Sequence, residues 1–487
     1  MKHIIVITLL SLTMLSCGVT KRDFDSHSKA DVQEDYLRLA EIDTLTNSNE
    51  PIENWWSEFN DPVLDSLIGK ASNHNLDINS AVANVFASRA LLKESRLDRI
   101  PTVTANANYN RTRVGENIFV QGSNPTYSTY NGSFDAFWEV DLFGRVSNRI
   151  KGVYATNQWS TADMQAVYVS VFSEVAITYM ELRGTQYLLD IAERNLKGQQ
   201  DTYDLTRKLS EAGTSNSLDV SRALAQLETT RASIPPLKAR LEALKNSLSV
   251  LVGEVPGNLE ESIIEDQPLP SLPSTVALGE ITELLRRRPD IRRAEAALQI
   301  QIAKYNISVS ELYPKIQFSG SIGFSAVDFS NFGSKESFTW SVIPNISWAA
   351  FNLGRVKQQI KREDALTLAA LNQYEKAVLQ GLEDIKTALT NYSNELQRRD
   401  ILLTSSEASA EAAKFAKQRF NAGLDSFIDY LSADNALLQS ENQLALSEIA
   451  SATALIAIYK ALGGGWQIIS EEALKEKFET IQLAGAK

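Results

Sequence analysis

The sequence contains few of the residues from which metal and thiol sites are built. Its 487 residues include one cysteine, Cys17, and three histidines. Zinc sites use cysteine and histidine at short, regular spacings, and no such spacing occurs here. The sequence also has no Gly-x-Ser-x-Gly motif and no glycine-rich phosphate loop. The sequence therefore predicts no metal site, no cofactor and no enzymatic activity. The rival hypothesis of an enzyme would be a surface-anchored hydrolase.

Positive charge is scarce as well. The chain carries 48 lysines and arginines against 60 aspartates and glutamates, which gives a formal net charge of -12 at pH 7. No run of basic residues is long enough to follow a phosphate backbone, so no nucleic-acid partner is expected. Hydrophobic residues make up 44% of the chain, which is enough to bury a sizeable core and excludes global disorder.

Long apolar runs are missing beyond the N-terminus. Residues 4–15 form a short apolar stretch after Lys2, and Ser16 stands immediately before Cys17. This pattern resembles the bacterial lipobox, so we expect a lipoprotein signal peptide at 1–16, acylation of Cys17 and a polar tether at 17–50. The alternative is an ordinary cleaved signal with an incidental cysteine. After Cys17 no apolar run reaches the roughly 18 residues of a spanning helix, so any membrane-spanning part has to consist of β-strands.

The most informative feature of the sequence is an internal repeat. Three glycine motifs recur at an offset of 210 residues, namely Gly144 and Gly354, Gly213 and Gly423, and Gly253 and Gly463. Recurrence at one offset over most of the chain indicates two copies of one structural unit. We expect these repeats at 51–253 and 290–465, with a connection at 254–289 between them and a C-terminal tail at 466–487.

Four segments of the repeats show the alternation of β-strands. Apolar and polar residues alternate with a period of two at about 102–113, 127–142, 315–326 and 338–350. One interpretation is the half-buried sheet of a soluble domain, and the other is a sheet with a lipid-facing exterior and a water-filled lumen. Four strands cannot close a pore, because the smallest outer-membrane barrels have about eight, so the membrane interpretation requires an oligomer.

Long helices are predicted in the rest of each repeat. Their expected ranges are about 144–212, 217–252, 354–422 and 427–462. A helix of the first length would be roughly 100 Å long and has to pack lengthwise against others. Proline is absent from the first and third ranges, whereas Pro235-Pro236 is predicted to kink or split the second helix.

Several motifs, in this order, carry a family resemblance. They are Phe143-Gly144-Arg145, Arg288-Pro289-Asp290-Ile291, Leu353-Gly354-Arg355, Gln418-Arg419-Phe420-Asn421-Ala422-Gly423 and Tyr459-Lys460-Ala461-Leu462-Gly463-Gly464-Gly465-Trp466. Together with the lipobox and the repeat, they resemble the TolC/OprM-like outer-membrane efflux lipoproteins, the NodT-type outer membrane factors of tripartite efflux systems. The resemblance covers about residues 55–466.

The resemblance implies a mixed α and β membrane protein. Its fold would be a homotrimeric, twelve-stranded transmembrane β-barrel with four strands per subunit, continued by a long periplasmic α-helical barrel, with the 254–289 connection in an equatorial belt. Its function would be that of a passive exit duct in the outer membrane. The implied partners are a periplasmic adaptor (membrane fusion protein), an inner-membrane transporter of RND type and outer-membrane lipid, the last through a palmitate-bearing anchor. The alternative is a lipid-anchored coiled-coil structural or adhesion protein of the cell envelope.

The resemblance also places two helical turns at a periplasmic tip. Adaptor contact or tip structure is implied for Arg207, Gly213, Ser215, Leu218, Asp219, Arg419, Gly423 and Leu424. A periplasmic gate is implied for Asp425, Phe427, Ile428, Asp429 and Asp434. A three-fold ring of aspartates would favour cations in a narrow bore. The alternative is that these residues only stabilise the helix ends. Aspartates complement the positive N-terminal end of a helix, and glycines end helices in the left-handed conformation.

Overall fold

The computed structural model describes residues 22, 46–47, 53–115, 126–213, 216–259, 263, 265, 267–273, 275–277 and 286–485. The predicted signal peptide, Cys17 and most of the predicted tether lie outside these residues. Expectations about them, including acylation, therefore stay predictions.

Helices dominate the described residues. They are α1 (Pro62–His74), α2 (Leu76–Leu97), α3 (Arg145–Glu211), α4 (Ser217–Leu251), α5 (Pro289–Ser310), α6 (Leu353–Asn421), α7 (Phe427–Ala461) and α8 (Glu471–Gly485). The strands of the main sheet are β1 (Thr102–Arg113), β2 (Thr126–Val140), β3 (Lys315–Ala326) and β4 (Phe338–Ser347). A short helical turn, Trp55–Phe59, precedes α1, and Thr46–Asn47 pairs in parallel with Val276–Ala277.

The strands and long helices lie close to the ranges expected from the sequence. The largest difference is at β4, which ends at Ser347, whereas the alternation suggested residue 350. A turn explains the earlier end, because the Asn352 N–H donates to the Ala349 carbonyl at 2.7 Å. Strand β2 likewise ends at Val140, where the Leu142 N–H folds back onto the Val140 carbonyl at 3.0 Å.

The sequence predicts that Pro235-Pro236 kinks or splits its helix, and the split is wrong, whereas a kink stays a prediction. Helix α4 runs without interruption from Ser217 to Leu251 and contains both prolines. The two prolines are exposed, so the carbonyl groups that lose a backbone donor can bind water.

The chain forms two compact units that cut across the repeats. Among the described residues, one unit comprises those between 85 and 160 and between 293 and 375, together with residue 22. The other comprises the described residues between 46 and 84, between 161 and 292, and between 376 and 485. Each unit therefore takes segments from both repeats. The long helices α3 and α6 each continue from one unit into the other.

The first unit contains the four-stranded antiparallel sheet, in the order β1-β2-β3-β4. Its register aligns Phe134 with Ile322 and Ile322 with Trp340, so these side chains share one face. That face is apolar yet exposed, with Trp340 at 70% exposure. The opposite face carries mostly hydroxyl and amide groups, which hydrogen-bond across strands, as between Asn131 and Asn108 at 2.9 Å.

In the same unit, α3 begins where the sheet ends. Gly144 takes a positive φ of 76°, and both carboxylate oxygens of Asp141 accept backbone N–H groups of Val146 and Ser147 at 2.8 Å. These bonds satisfy donors of the first helical turn. A core between α5 and α6 consists of Tyr305, Val309, Leu312, Val356 and Ile360.

The second unit packs long helices closely together. Leu188 and Ile191 of α3 contact Ala445 of α7. Gly184 permits this approach, because a Cβ atom there would stand 2.0 Å from a side-chain carbon of Ile449. Helix α7 is long and apolar enough to cross a membrane, a run that inspection of the sequence missed. However, 56% of its most apolar window is buried inside the protein, as in a core helix.

Candidate functional site at the two helical turns

The structure brings the turn between α3 and α4 together with the turn between α6 and α7. Ala223 of α4 packs with Phe427 and Tyr430 of α7 in one buried cluster. Tyr203 of α3 and Phe420 of α6 pack against it. The Tyr430 hydroxyl also lies 3.1 Å from the Thr202 hydroxyl of α3. One aromatic core therefore holds both turns at the same end of the second unit.

In the first turn, α3 ends at Glu211 and Gly213 has a φ of 79°. The Gly213 N–H donates to the Ser210 carbonyl at 3.0 Å, which confirms the left-handed cap expected for this glycine. Asn216 then caps α4, because its Oδ1 accepts the Asp219 N–H at 2.9 Å. Ser215 lies outside the described residues.

The second turn has the complete geometry of a Schellman motif. Gly423 has a φ of 70°, its N–H donates to the Phe420 carbonyl, and the Leu424 N–H donates to the Arg419 carbonyl, both at 2.9 Å. Ser426 then starts α7 with a capping box: its Oγ accepts the Asp429 N–H at 3.4 Å, and the Asp429 carboxylate accepts the Ser426 N–H at 3.3 Å. The same carboxylate also accepts the Ser426 hydroxyl. Asp429 thus has the local role of a helix N-terminal acid.

A bidentate ion pair crosses the second turn. Arg419 Nε lies 2.6 Å from Asp425 Oδ2, and Arg419 Nη2 lies 2.8 Å from Asp425 Oδ1. This hydrogen bonding lowers the pKa of the Asp425 carboxyl and raises the pKa of the Arg419 guanidinium. Asp425 is therefore ionised at neutral pH, and its charge is shared with the arginine of its own turn.

Arg207 has different partners from Arg419. It lies 3.8 Å from Asp204 and from Glu211, both on its own helix, while Asp219 pairs with Arg222 at 3.6 Å. The repeat explains the difference, because residue 419 corresponds to Leu209 and residue 425 to Ser215 at the offset of 210. The two turns therefore share a backbone design but differ in their charges.

Of the residues expected at the gate, Phe427 is buried and Asp434 is half-buried. Phe427 is 4% exposed and contacts Phe420 with ring centroids 5.7 Å apart, so it is a packing residue of the tip in this conformation. Asp434 lies 3.5 Å from the Tyr430 hydroxyl, and burial raises the pKa of its carboxyl.

Three apolar side chains of the turns are exposed instead. They are Leu218 at the start of α4, and Leu424 and Ile428 beside the second glycine. These apolar side chains lie in the same turns as the Arg419–Asp425 ion pair. The turns therefore present a small surface that is partly apolar and partly charged. Such a surface is typical of a protein contact.

Sequence reasoning did not identify the buried Arg288 as a structural centre. Its side chain is 7% exposed and bonds Asp290, Asp384 and the Ala461 carbonyl, each through a 2.7 Å contact. The cluster ties the start of α5 to α6 and to the end of α7. It lines a cavity of about 470 Å³ whose walls include Ala166, Val169, Glu383, Thr387, Ala388, Ala457 and Lys460.

The part of the chain that the structure describes offers no metal centre. No group of three or more His, Cys, Asp or Glu side chains there could hold an ion. The chemistry of the turns is therefore that of ion pairs, hydrogen-bonded caps and apolar contact.

The sequence matches the family model described as "Outer membrane efflux protein" over residues 67–254 and 281–464. It is similar to SepC of Pseudomonas putida, a probable efflux pump outer membrane protein, at 27% identity over 425 residues, covering 86% of this chain and 87% of that protein. The fold is similar to the outer-membrane channel OprN, with a TM-score of 0.86 and 34% identity over 92% of this chain and 99% of that chain.

A third similarity is to the open state of the MtrE outer membrane channel of Neisseria gonorrhoeae. Its TM-score is 0.81 and its identity 26%, covering 92% of this chain and 98% of that chain. These similarities confirm the fold class expected from the sequence. The family resemblance is confirmed as well, since the family model covers more than half of the chain. The chain belongs to the outer membrane efflux protein family.

Proposed function

We propose that this chain is the outer-membrane exit duct of a tripartite efflux system. It passively conducts substrates that an inner-membrane pump and a periplasmic adaptor deliver, and it makes or breaks no bond in them. It is located in the outer membrane and extends into the periplasm.

The observation that carries the proposal is the two-faced sheet. Its apolar face is exposed, although a water-soluble protein would bury such a face. Strands β1 and β4 are the ends of the sheet order, so each has one edge available for another strand. Three copies joined at these edges give a closed barrel of twelve strands, with the apolar face toward lipid and the polar face toward water.

The proposal includes the following partners. The homotrimer completes the barrel, and the long helices of three copies continue it as a helical tunnel. The turns contact the adaptor through Leu218 and Leu424, Ile428 belongs to the periplasmic gate, and the inner-membrane transporter is of RND type. Acylation of Cys17 adds a lipid anchor in the outer membrane. Asp425 and Asp429, repeated three times, set the charge of the periplasmic entrance.

The lipid-facing assignment is tested with a pair of adjacent substitutions on β4. Trp340 lies on the apolar face and Thr339 on the polar face. Trp340→Lys places a charge in the hydrocarbon, which costs about 2–4 kcal/mol near the bilayer midplane, whereas Thr339→Lys places it in water. We expect Trp340→Lys to abolish heat-modifiable trimers in the outer-membrane fraction and Thr339→Lys to retain them. If both variants lose the trimers equally, or if both retain them, the proposal is contradicted.

The adaptor contact is tested with a photo-crosslinking side chain at Leu424 or Ser215. Leu368, which is also exposed but lies in α6 away from the turns, is the matched control. We expect crosslinks to a periplasmic adaptor from the turn positions only.

The gate is tested by single-channel conductance of Asp425→Asn and Asp429→Asn. Unchanged ion selectivity in both would refute an acidic entrance.

A further inference from the structure

One row of the polar sheet face, the apolar row, carries two apolar side chains. The register aligns Thr102 with Phe137, Phe137 with Ser319, and Ser319 with Ile343 across the four strands. Phe137 is 49% exposed and Ile343 is 56% exposed, so a ring and a branched aliphatic flank one serine on the face that is otherwise hydroxyl- and amide-rich. Neither residue fits the alternation that predicts these strands.

The adjacent row supplies a carboxylate. It aligns Thr104, Asp135, Ser321 and Ser341. Asp135 accepts hydrogen bonds from Ser321 Oγ at 2.6 Å and from Asn106 Nδ2 at 2.5 Å. Both bonds use the carboxylate as an acceptor, which is the role of its ionised form.

The charged group on the other side of the apolar row is already neutralised. Glu139, two residues beyond Phe137 on the same face, accepts Arg145 Nε at 2.6 Å and pairs with the second arm of the same guanidinium. Glu139 is therefore paired with a cation, whereas the hydrogen bonds to Asp135 come from the neutral side chains of Ser321 and Asn106. Asp135 lies in the row next to that of Phe137 and Ile343.

A cavity spans the two rows. Its volume is about 310 Å³, and its walls include Phe137, Ile343, Asp135, Ser319 and Ser341. This volume is at the lower end of the range of about 300–1,000 Å³ that is typical of small-molecule sites. An apolar wall with one carboxylate at its side is complementary to a molecule that has an apolar ring and a positive charge.

We infer that this cavity is a substrate-contact subsite for amphiphilic cations on the inner wall of the duct. The inference rests on the proposed function, because that function makes the polar face the lumen. In three copies the subsite occurs three times around one level of the barrel. Phe137 and Ile343 contact the ring of a passing molecule, and Asp135 attracts its cationic group. Hydrophilic cations gain the charge attraction alone.

The test uses cysteine labelling of the full-length protein in intact cells. Ser319→Cys places a thiol between Phe137 and Ile343, and Ser325→Cys places one three rows away on the same face of β3. The reagent is the membrane-impermeant cation trimethylammonioethyl methanethiosulfonate. The parent chain, whose single cysteine is Cys17, gives the background. The competitors are benzyltrimethylammonium and tetramethylammonium, which carry the same charge and differ by one aromatic ring.

We expect benzyltrimethylammonium to slow labelling at Ser319→Cys about threefold at twice its dissociation constant, because labelling scales with the unoccupied fraction of the site. Tetramethylammonium should protect much less, and neither should protect Ser325→Cys. Combining Ser319→Cys with Phe137→Ser and Ile343→Ser should abolish the difference between the competitors. Ser341→Cys, on the cavity wall of β4, serves as a second reporter if Ser319→Cys does not assemble.

Two outcomes overturn the inference in different ways. If both cysteines are labelled and the two competitors protect Ser319→Cys equally, the subsite does not exist, while the water-filled lumen stands. If neither cysteine reacts in cells but both react after denaturation, the polar face is not open to water. In that case the proposed function fails together with the subsite.

Discussion

Replacing Arg288 is expected to destabilise the protein more than replacing any exposed arginine. The guanidinium joins the Ala461 carbonyl, at the last residue of α7, to Asp290 in the first turn of α5 and to Asp384 of α6. Arg288→Met keeps much of the side-chain volume but removes the donors. Two carboxylates and a carbonyl then lose a charged partner.

The size of the effect follows from how far each partner can reach water. Removing one member of a buried ion pair costs about 3–5 kcal/mol. The Asp384 side chain is 55% exposed and the Asp290 side chain 38%, so water can solvate both after the change. We therefore expect a loss of about 3 kcal/mol, at the lower end of that range. The exposed pair of Arg231 and Glu228 supplies the control, because Arg231→Met should cost about 0–1 kcal/mol.

The assay is urea unfolding in detergent, followed by far-ultraviolet circular dichroism at one fixed protein concentration, since oligomer stability depends on concentration. A loss for Arg288→Met within about 0.5 kcal/mol of the Arg231→Met value would refute the reasoning. Such a result would mean that the free-energy cost of desolvating the Arg288 guanidinium equals the stabilisation from its hydrogen bonds and ion pairs.

The same cluster has a defined pH dependence. Burial alone would raise the pKa of Asp290, but hydrogen bonding and the charge of Arg288 lower it below its ordinary value of 3.8. A lowered folded-state pKa contributes stability that is present above that ordinary value and is lost as the pH falls through the folded-state pKa. The difference between wild type and Arg288→Met should therefore shrink in acid. The Arg231→Met difference provides the comparison.

Three further predictions concern the turns. Burial raises the pKa of the Asp434 carboxyl, so the contribution of this group to stability is present in acid and is lost as the pH rises through the folded-state pKa. Asp434→Asn removes the charge that is buried at pH 7, and it should therefore increase hydrogen-exchange protection of the turns at pH 7 but not in acid. Phe427→Ala should cost about 3–5 kcal/mol in urea unfolding, whereas the half-exposed Ile428→Ala should cost much less; similar losses would contradict the packing role of Phe427. Gly423→Ala should cost about 1–2 kcal/mol because of its positive φ, while Gly198→Ala, within α3 and with open space around it, should be neutral or stabilising by thermal unfolding.

The strands and long helices could be predicted because their signals are local. Alternation with period two marks the sheet, and the glycines at 213 and 423 mark helix ends that require a positive φ. The compact units could not be predicted in this way. Each one combines segments of both repeats, and that arrangement depends on contacts between residues hundreds of positions apart.

The turns show where prediction from sequence stops. An aromatic residue beside a turn has the same local pattern whether it points inward or outward, so nothing in the sequence places Phe427 in the core. Its inward direction is seen only in its ring contacts with Phe420 and Tyr430. Phe137 and Ile343 were missed for the opposite reason. They break the alternation, and a pattern search treats a break as noise although the register aligns the two breaks in one row.

The repeat preserves backbone requirements while its side chains diverge. Gly213 and Gly423 both have positive φ, and Asn216 and Ser426 both cap the following helix at matching positions. The Arg419–Asp425 pair has no sequence equivalent in the first repeat, because Leu209 and Ser215 occupy those positions. A bidentate pair restricts the loop that it spans. The two kinds of turn therefore differ in electrostatics even though their backbones match.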